Sequence, residues 1–361
     1  MPRRLVVLTG AGASYDCASE LVDKNELMRP PLVKDLFARE FAEILGRYPL
    51  AQAAAADIRR AIAPESQNAV PLERHLRERM RDSDDAHTKR RYRQIPLYLQ
   101  DVLYTVGDTN GGGYTTEPDN YNALVNRALE LDDVLFLTLN YDTLLDDRLF
   151  IYDSLDSLDA YVSNPKWALV KLHGSVNWGR PIPFLKPEPA LAEVDRAMGV
   201  GLPIDRFQII NRLIDTPREL LTDEDIELRL QPRLDERRYD DPTVYYPAVS
   251  VPVGEQDELV CPLEHLNAAR EFLHREDALD LLVIGYSGLD REVLELLRAS
   301  GKPLRRLLVA NGSEPAGLEA GERLQGACGG NGVLEDSVFR GGFTELVRTG
   351  KLAEFIASIP A

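Results

Sequence analysis

Three things are scarce in this 361-residue chain: long apolar runs, cysteine pairs and positive charge. No apolar run approaches the roughly 20 residues that a membrane-spanning helix needs. The three cysteines, Cys17, Cys261 and Cys328, never stand at CxxC spacing. That spacing is what a zinc ribbon or a thioredoxin-like redox site would require. Lys and Arg number 42 against 59 Asp and Glu, a net charge of −17. Non-specific affinity for phosphate backbones comes from clustered cations, so this balance argues against a nucleic-acid binder. The stretch Glu73–Arg93 is locally basic, with eight Lys or Arg against five Asp or Glu, and reads first as a solvated helix face and second as a docking surface. Met1–Gly10 reads as a strand and a glycine turn, unlike a signal peptide. A cytoplasmic, reducing compartment and no membrane partner are therefore expected.

Short runs rich in Val, Ile and Leu stand at Leu5–Leu8, Val134–Leu139, Ala168–Leu172, Leu281–Ile284 and Leu307–Val309. Residues that are apolar at consecutive positions suit strands buried on both faces, as in a parallel sheet. Gly332–Phe339 is a further candidate strand. Helical patterns lie between the runs, at Asn120–Glu130, Thr143–Phe150 and Arg291–Ala299. Strands alternating with helices predict an α/β fold with a doubly wound, Rossmann-like parallel sheet. One domain over 1–361 is expected, with a helical insertion at 36–126 and a proline- and acid-rich looped insertion at 179–258.

Five turns follow those strands. Thr9-Gly10-Ala11-Gly12-Ala13-Ser14 has the small residues that let backbone N–H groups approach a pyrophosphate, and equally those of a tight strand-to-helix turn. Asn140 and Asp142, in Thr138–Asp142, stand where sheets of this class bind ligands, and are also good helix caps. His173, in Lys171–Ser175, is one of only five histidines and closes a strand beside a glycine. Its unperturbed pKa of about 6.5 would let it take a proton at neutral pH, unless it is merely packed. Gly285, Tyr286, Ser287 and Asp290 form a turn suited to phosphate or ribose, or Asp290 caps the next helix. Asn311 follows the last of these strands.

Taken together, TGAGAS, TLNYD, KLHGS, GYSGLD and VAN, in that order, resemble the sirtuin-like family, and its bacterial antiphage branch more than the deacetylases. Arg29–Phe37 is similar to that branch as well. The resemblance implies a sirtuin-type fold acting on NAD+ as substrate. It places Thr9, Gly10, Ala11, Gly12, Ala13 and Ser14 at the pyrophosphate, and Asn140 at the nicotinamide ribose and the attacking water. His173 would be a base at the ribose hydroxyls. Gly285, Tyr286, Ser287 and Asp290 would line the adenosine side, and Asn311 would contact its ribose. Asp142 would stabilise the developing cation or cap a helix. Sirtuin deacetylases carry two CxxC pairs after the histidine motif, whereas Gly174–Asp290 holds only Cys261, so no zinc is expected. The acidic-Phe-Arg turn of the deacetylases is also absent from Tyr15–Pro30.

These departures favour transfer of the ribosyl group to water. The expected activity is NAD+ glycohydrolysis by an abortive-infection effector. A homo-oligomer is expected, with control by that self-association or by a separate protein such as an ATPase or phage-sensing partner. The competing readings are an NAD-dependent deacylase or ADP-ribosyltransferase, and a non-catalytic module that binds NAD or ADP-ribose.

Overall fold

The computed structural model describes residues 2–17, 29–32, 35–62, 86–109, 120–182, 206–215, 228–230, 244–249, 260–275, 277–330 and 337–360. The strands, in chain order, are β1 (Arg4–Thr9), β2 (Asp133–Thr138), β3 (Trp167–Lys171), β4 (Gly174–Ile182), β5 (Arg229–Leu230), β6 (Val244–Val249), β7 (Leu279–Ile284), β8 (Leu304–Asn311) and β9 (Val338–Arg340). Two compact units divide the chain. One comprises 1–33, 103–174 and 261–361, the other 34–102 and 175–260.

The first unit is built on a six-stranded sheet in the order β3-β2-β1-β7-β8-β9. Every pairing in it is parallel. This is a Rossmann-like α/β sheet, with β1 at its centre. Leu5 to Thr9 of β1 and all six residues of β7 are buried. Burial on both faces is why these runs read as continuous apolar stretches rather than alternating ones. Val6, Leu8, Leu135, Leu137, Val170, Leu281, Val283 and Val309 share one core with helices Leu263–His274, Arg291–Ser300 and Glu314–Ala327. The amphipathic pattern of Arg291–Ser300 puts Val293, Leu296 and Leu297 on the buried side, and Gly301 ends the helix in the left-handed conformation. Helices Asn120–Ala128, Phe343–Arg348 and Lys351–Ala357 belong to this unit also. Arg3 ties the start of β1 to the chain's last helix, donating to the carbonyls of Ile356 and Ile359.

The second unit contains the three-stranded sheet β5-β4-β6, in which β4 and β5 are antiparallel. Its helices include Pro49–Ile62, Ala86–Arg93 and Arg206–Asp215. Gln94 caps the first of these, its Oε1 accepting from Leu50 N and Ala51 N at 2.8 and 2.9 Å. Tyr98 stacks on Phe37 and donates to the Leu36 carbonyl.

Residues 103–126, read from the sequence as part of a helical insertion, lie in the first unit, while 179–258 shares the second unit with 34–102. Most of the 179–258 stretch, and 332–336 of the candidate strand Gly332–Phe339, fall outside the described residues. The last strand is Val338–Arg340. Among the described residues no helix is long and apolar enough to cross a membrane.

Candidate active site

The chain runs from β1 outward to β2 and β3, then returns to the other side of β1 as β7. The crevice at such a switch point, beyond the carboxyl ends of the strands, is where open α/β sheets bind ligands. Here the turns after β1 and β7 meet backbone to backbone. Gly12 N donates to Gly285 O at 3.1 Å, and Gly10 N to Ile284 O at 3.0 Å. A Cβ on Gly285 would sit 2.0 Å from Ala13 N, and one on Gly12 would sit 2.8 Å from Gly285 Cα. Gly285 also has φ of +63°, which disfavours any side chain. The glycines are thus required by the close approach of the two turns. Ala13 N donates to Gly10 O, so the amides of Gly10, Gly12 and Ala13 all have partners inside the protein. Ala11 opens the short helix Ala11–Asp16.

Next to this contact a polar triangle is closed. Asn140 Nδ2 donates to Ser14 Oγ at 2.9 Å and to Tyr121 Oη at 3.2 Å, and the two hydroxyls are 2.9 Å apart. Asn140 is placed by β2: its backbone N–H is accepted by Thr138 Oγ1, to which Thr9 Oγ1 donates at 2.7 Å. Thr9, Ser14, Tyr121 and Asn140 are all buried. Burial, with Asp142 and Cys17 nearby, pushes the Tyr121 hydroxyl well above its ordinary range, so it remains a neutral donor. Asn140 Oδ1 is buried and finds no hydrogen-bond partner among the described residues. An orphaned buried acceptor costs about 1–3 kcal/mol, and a ligand donor would remove that cost.

Asp142 extends the cluster. Its Oδ1 accepts at 3.1 Å from the N–H of Leu144, the first residue of the helix Leu144–Leu149, while the N-cap position itself is Thr143, which makes no side-chain cap bond. Burial pushes its carboxyl up, opposed by Lys171 and by the Ser14 bond. Lys171, fully buried at the end of β3, donates to the Asp142 carbonyl at 2.6 Å and to Asp146 Oδ2 at 2.8 Å. Tyr161 completes the shell of Asp146 at 2.8 Å. Asp147, beside this pair, is pushed up to about 7 by burial and by Asp146.

His173 lies beyond the end of β3, its ring stacked near Tyr141 with centroids 6.1 Å apart. Its Nε2 is 2.8 Å from Asp290 Oδ2. The other oxygen of Asp290 accepts from Val293 N and caps the helix Arg291–Ser300. Burial alone would raise the Asp290 carboxyl. The His173 hydrogen bond and charge, with backbone donors of Val293 and Glu292, outweigh it and hold the carboxyl below its usual value. Asp290 is therefore set against His173 and a helix end.

The remaining predicted residues fix the same turn. Asn311 Nδ2 donates to Tyr286 O at 2.9 Å and to Ala316 O at 3.3 Å. Tyr286 is buried and its hydroxyl reaches the Asp290 carbonyl at 3.4 Å. Ser287 alone of the group is exposed, with its carbonyl held by Arg323. The structure thus forms two groups on one sheet edge: Ser14, Asn140 and Asp142, and His173 with Asp290. Tyr121, Lys171 and Asp146 join them without having been singled out from the sequence. Among the described residues no group of three or more His, Cys, Asp and Glu is placed to hold a metal ion.

The arrangement defines a Rossmann-like α/β protein with a polar constellation at its switch point. No family model matches the chain, and no curated protein matches it. Two solved structures resemble it over its whole length. One is a Sir2 enzyme, 13% identical, the match covering 99% of this chain and 94% of that one at a TM-score of 0.41. The other is a mutant Sir2 homologue in complex with 2'-O-acetyl ADP ribose, also 13% identical, covering 99% and 92% at a TM-score of 0.35.

Proposed function

We propose that the chain is an NAD+ glycohydrolase, cleaving NAD+ to nicotinamide and ADP-ribose. The observation that carries this reading is Asn140: a buried carboxamide with its NH2 group fixed and its Oδ1 given no donor by the described residues. Water and ribose hydroxyls are donors that fit such an acceptor. In the reaction the C1'–N1 bond breaks and its electron pair neutralises the pyridinium, so no general acid is needed for departure. A water oriented by Asn140 Oδ1 adds to C1'. His173, set by Asp290, takes the proton from that water or from a ribose hydroxyl, an effect typically worth about 10²–10⁴-fold. Pre-organised dipoles at the oxocarbenium-like centre supply the rest.

The motif order read from the sequence supports NAD+ as the substrate. It also supports a role as a cytoplasmic antiphage effector that depletes NAD+, regulated by self-association or by a separate sensor protein. The test is nicotinamide release from NAD+ by the purified chain with no acceptor present, beside Asn140→Ala and His173→Ala. Release by the wild type that both variants lose supports the reading. Release that requires an acyl-lysine or protein acceptor, or binding without turnover, overturns it.

A further inference from the structure

The Ser14–Tyr121–Asn140 triangle leads to one more residue. Asn140 Nδ2 has two protons, and two hydroxyl oxygens accept from it, Ser14 Oγ at 2.9 Å and Tyr121 Oη at 3.2 Å. The hydroxyls are themselves 2.9 Å apart, so each holds the other in place. With the NH2 side of the carboxamide bound in this way, Oδ1 is the side left over, and it finds no partner among the described residues.

We infer that Tyr121 is a positioning residue, which locks the Asn140 carboxamide so that Oδ1, not the NH2 group, faces the reacting centre. This rests on the glycohydrolase reading for its kinetic consequence, but not for its structural one. Tyr121 is itself fixed. Its ring packs edge-on against Phe343 with centroids 5.4 Å apart. Neighbouring Asn120 donates to Asp16 O and Thr344 Oγ1, and Thr344 N donates to Asp16 Oδ2. The geometry thus holds the phenol at both its ring and its adjacent backbone, with only its hydroxyl turned to the amide.

Tyr121→Phe keeps the ring and removes the hydroxyl. Two measurements on the full chain test the inference. The first needs no turnover: in deuterated protein carrying 15N-asparagine, the Asn140 side-chain NH2 pair is assigned by its loss in Asn140→Ala. In Tyr121→Phe one proton of that pair should move upfield and exchange faster with solvent. The second is kinetic: kcat for nicotinamide release should fall about tenfold, the loss of one net hydrogen bond, while KM for NAD+ stays within about twofold. An unmoved NH2 pair, or a kcat within twofold of wild type, overturns the inference. Should the wild-type chain release no nicotinamide, the function proposed above fails, and the NH2 resonances alone decide the role of Tyr121.

Discussion

His173 and Asp290 are joined at 2.8 Å although their parent strands, β3 and β7, are separated in the sheet by β2 and β1. Three inter-strand spacings amount to roughly 14 Å. The turn after β7 therefore reaches across the carboxyl edge of the sheet to set the histidine. Asp290→Asn should keep the helix cap, since asparagine caps as well as aspartate. It should remove the charge that orients the imidazole. Nicotinamide release is expected to drop by at least about tenfold, with a modest fall in melting temperature at neutral pH as the carboxylate's contribution is lost. The paired carboxylate stabilises the folded state above its unfolded pKa of about 3.9, and that stability is lost as pH falls through the lower folded value. Acid unfolding of the Asn variant should accordingly be less steep than that of the wild type.

Asp147 has the opposite sign. Its folded pKa, pushed up to about 7 by burial and Asp146, lies above its unfolded value. Between about pH 4 and 7 the unfolded chain releases this proton while the folded chain keeps it, so stability falls as pH rises. Asp147→Asn should raise the melting temperature by a few degrees at pH 8 and leave it nearly unchanged at pH 4.5. Paired thermal melts at those two pH values measure it, and an equal shift at both would rule out the titration.

Gly285→Ala should be among the most damaging single substitutions. The new Cβ would meet Ala13 N at 2.0 Å and Gly12 C at 2.3 Å, all of it backbone that cannot rotate away. Adding the left-handed φ, a loss of about 3–5 kcal/mol is expected. Denaturant unfolding would show it, and a loss under about 1 kcal/mol would mean that the turns part readily.

Lys171→Met leaves the buried Asp146 with Tyr161 as its remaining side-chain partner. Breaking such a pair from one side costs about 3–5 kcal/mol. Adding Asp146→Asn removes the orphaned charge and should restore a large part of that loss. A double variant no more stable than Lys171→Met would show that the charge is not the source.

The sheet was legible because its strands are buried on both faces and so carry apolar residues at consecutive positions. Asn140 and His173 could be singled out as candidates because sheets of this class bind ligands beyond their strand ends, and the polar residues there are few. Asp290 was read as an adenosine contact or a helix cap. It does cap, through Oδ1, but its partnership with His173 spans 117 positions and leaves no local trace. Tyr121 was invisible for a similar reason. A tyrosine on an amphipathic helix looks like core, and its ring is core, so only its hydroxyl distinguishes it. The glycines at 10, 12 and 285 suggested phosphate binding, and what demands them in the fold is each other. Their signal lay in the pairing of two glycine turns at the ends of adjacent strands, and it could be read only once β1 and β7 were known neighbours.

The Asp16–Asn120–Thr344 junction also sets a schedule. Asp16 emerges early in synthesis, but Thr344 follows 328 residues later. At about 5–20 residues per second, that is a delay of roughly 15–65 s. Every one of the strand-end turns has been synthesised once Asn311 is added, yet until the last of this delay has passed Tyr121 has no Phe343 ring to rest on and Asn120 no Thr344 hydroxyl to reach. The contacts that seat Tyr121 and Asn120 are thus among the last that synthesis completes.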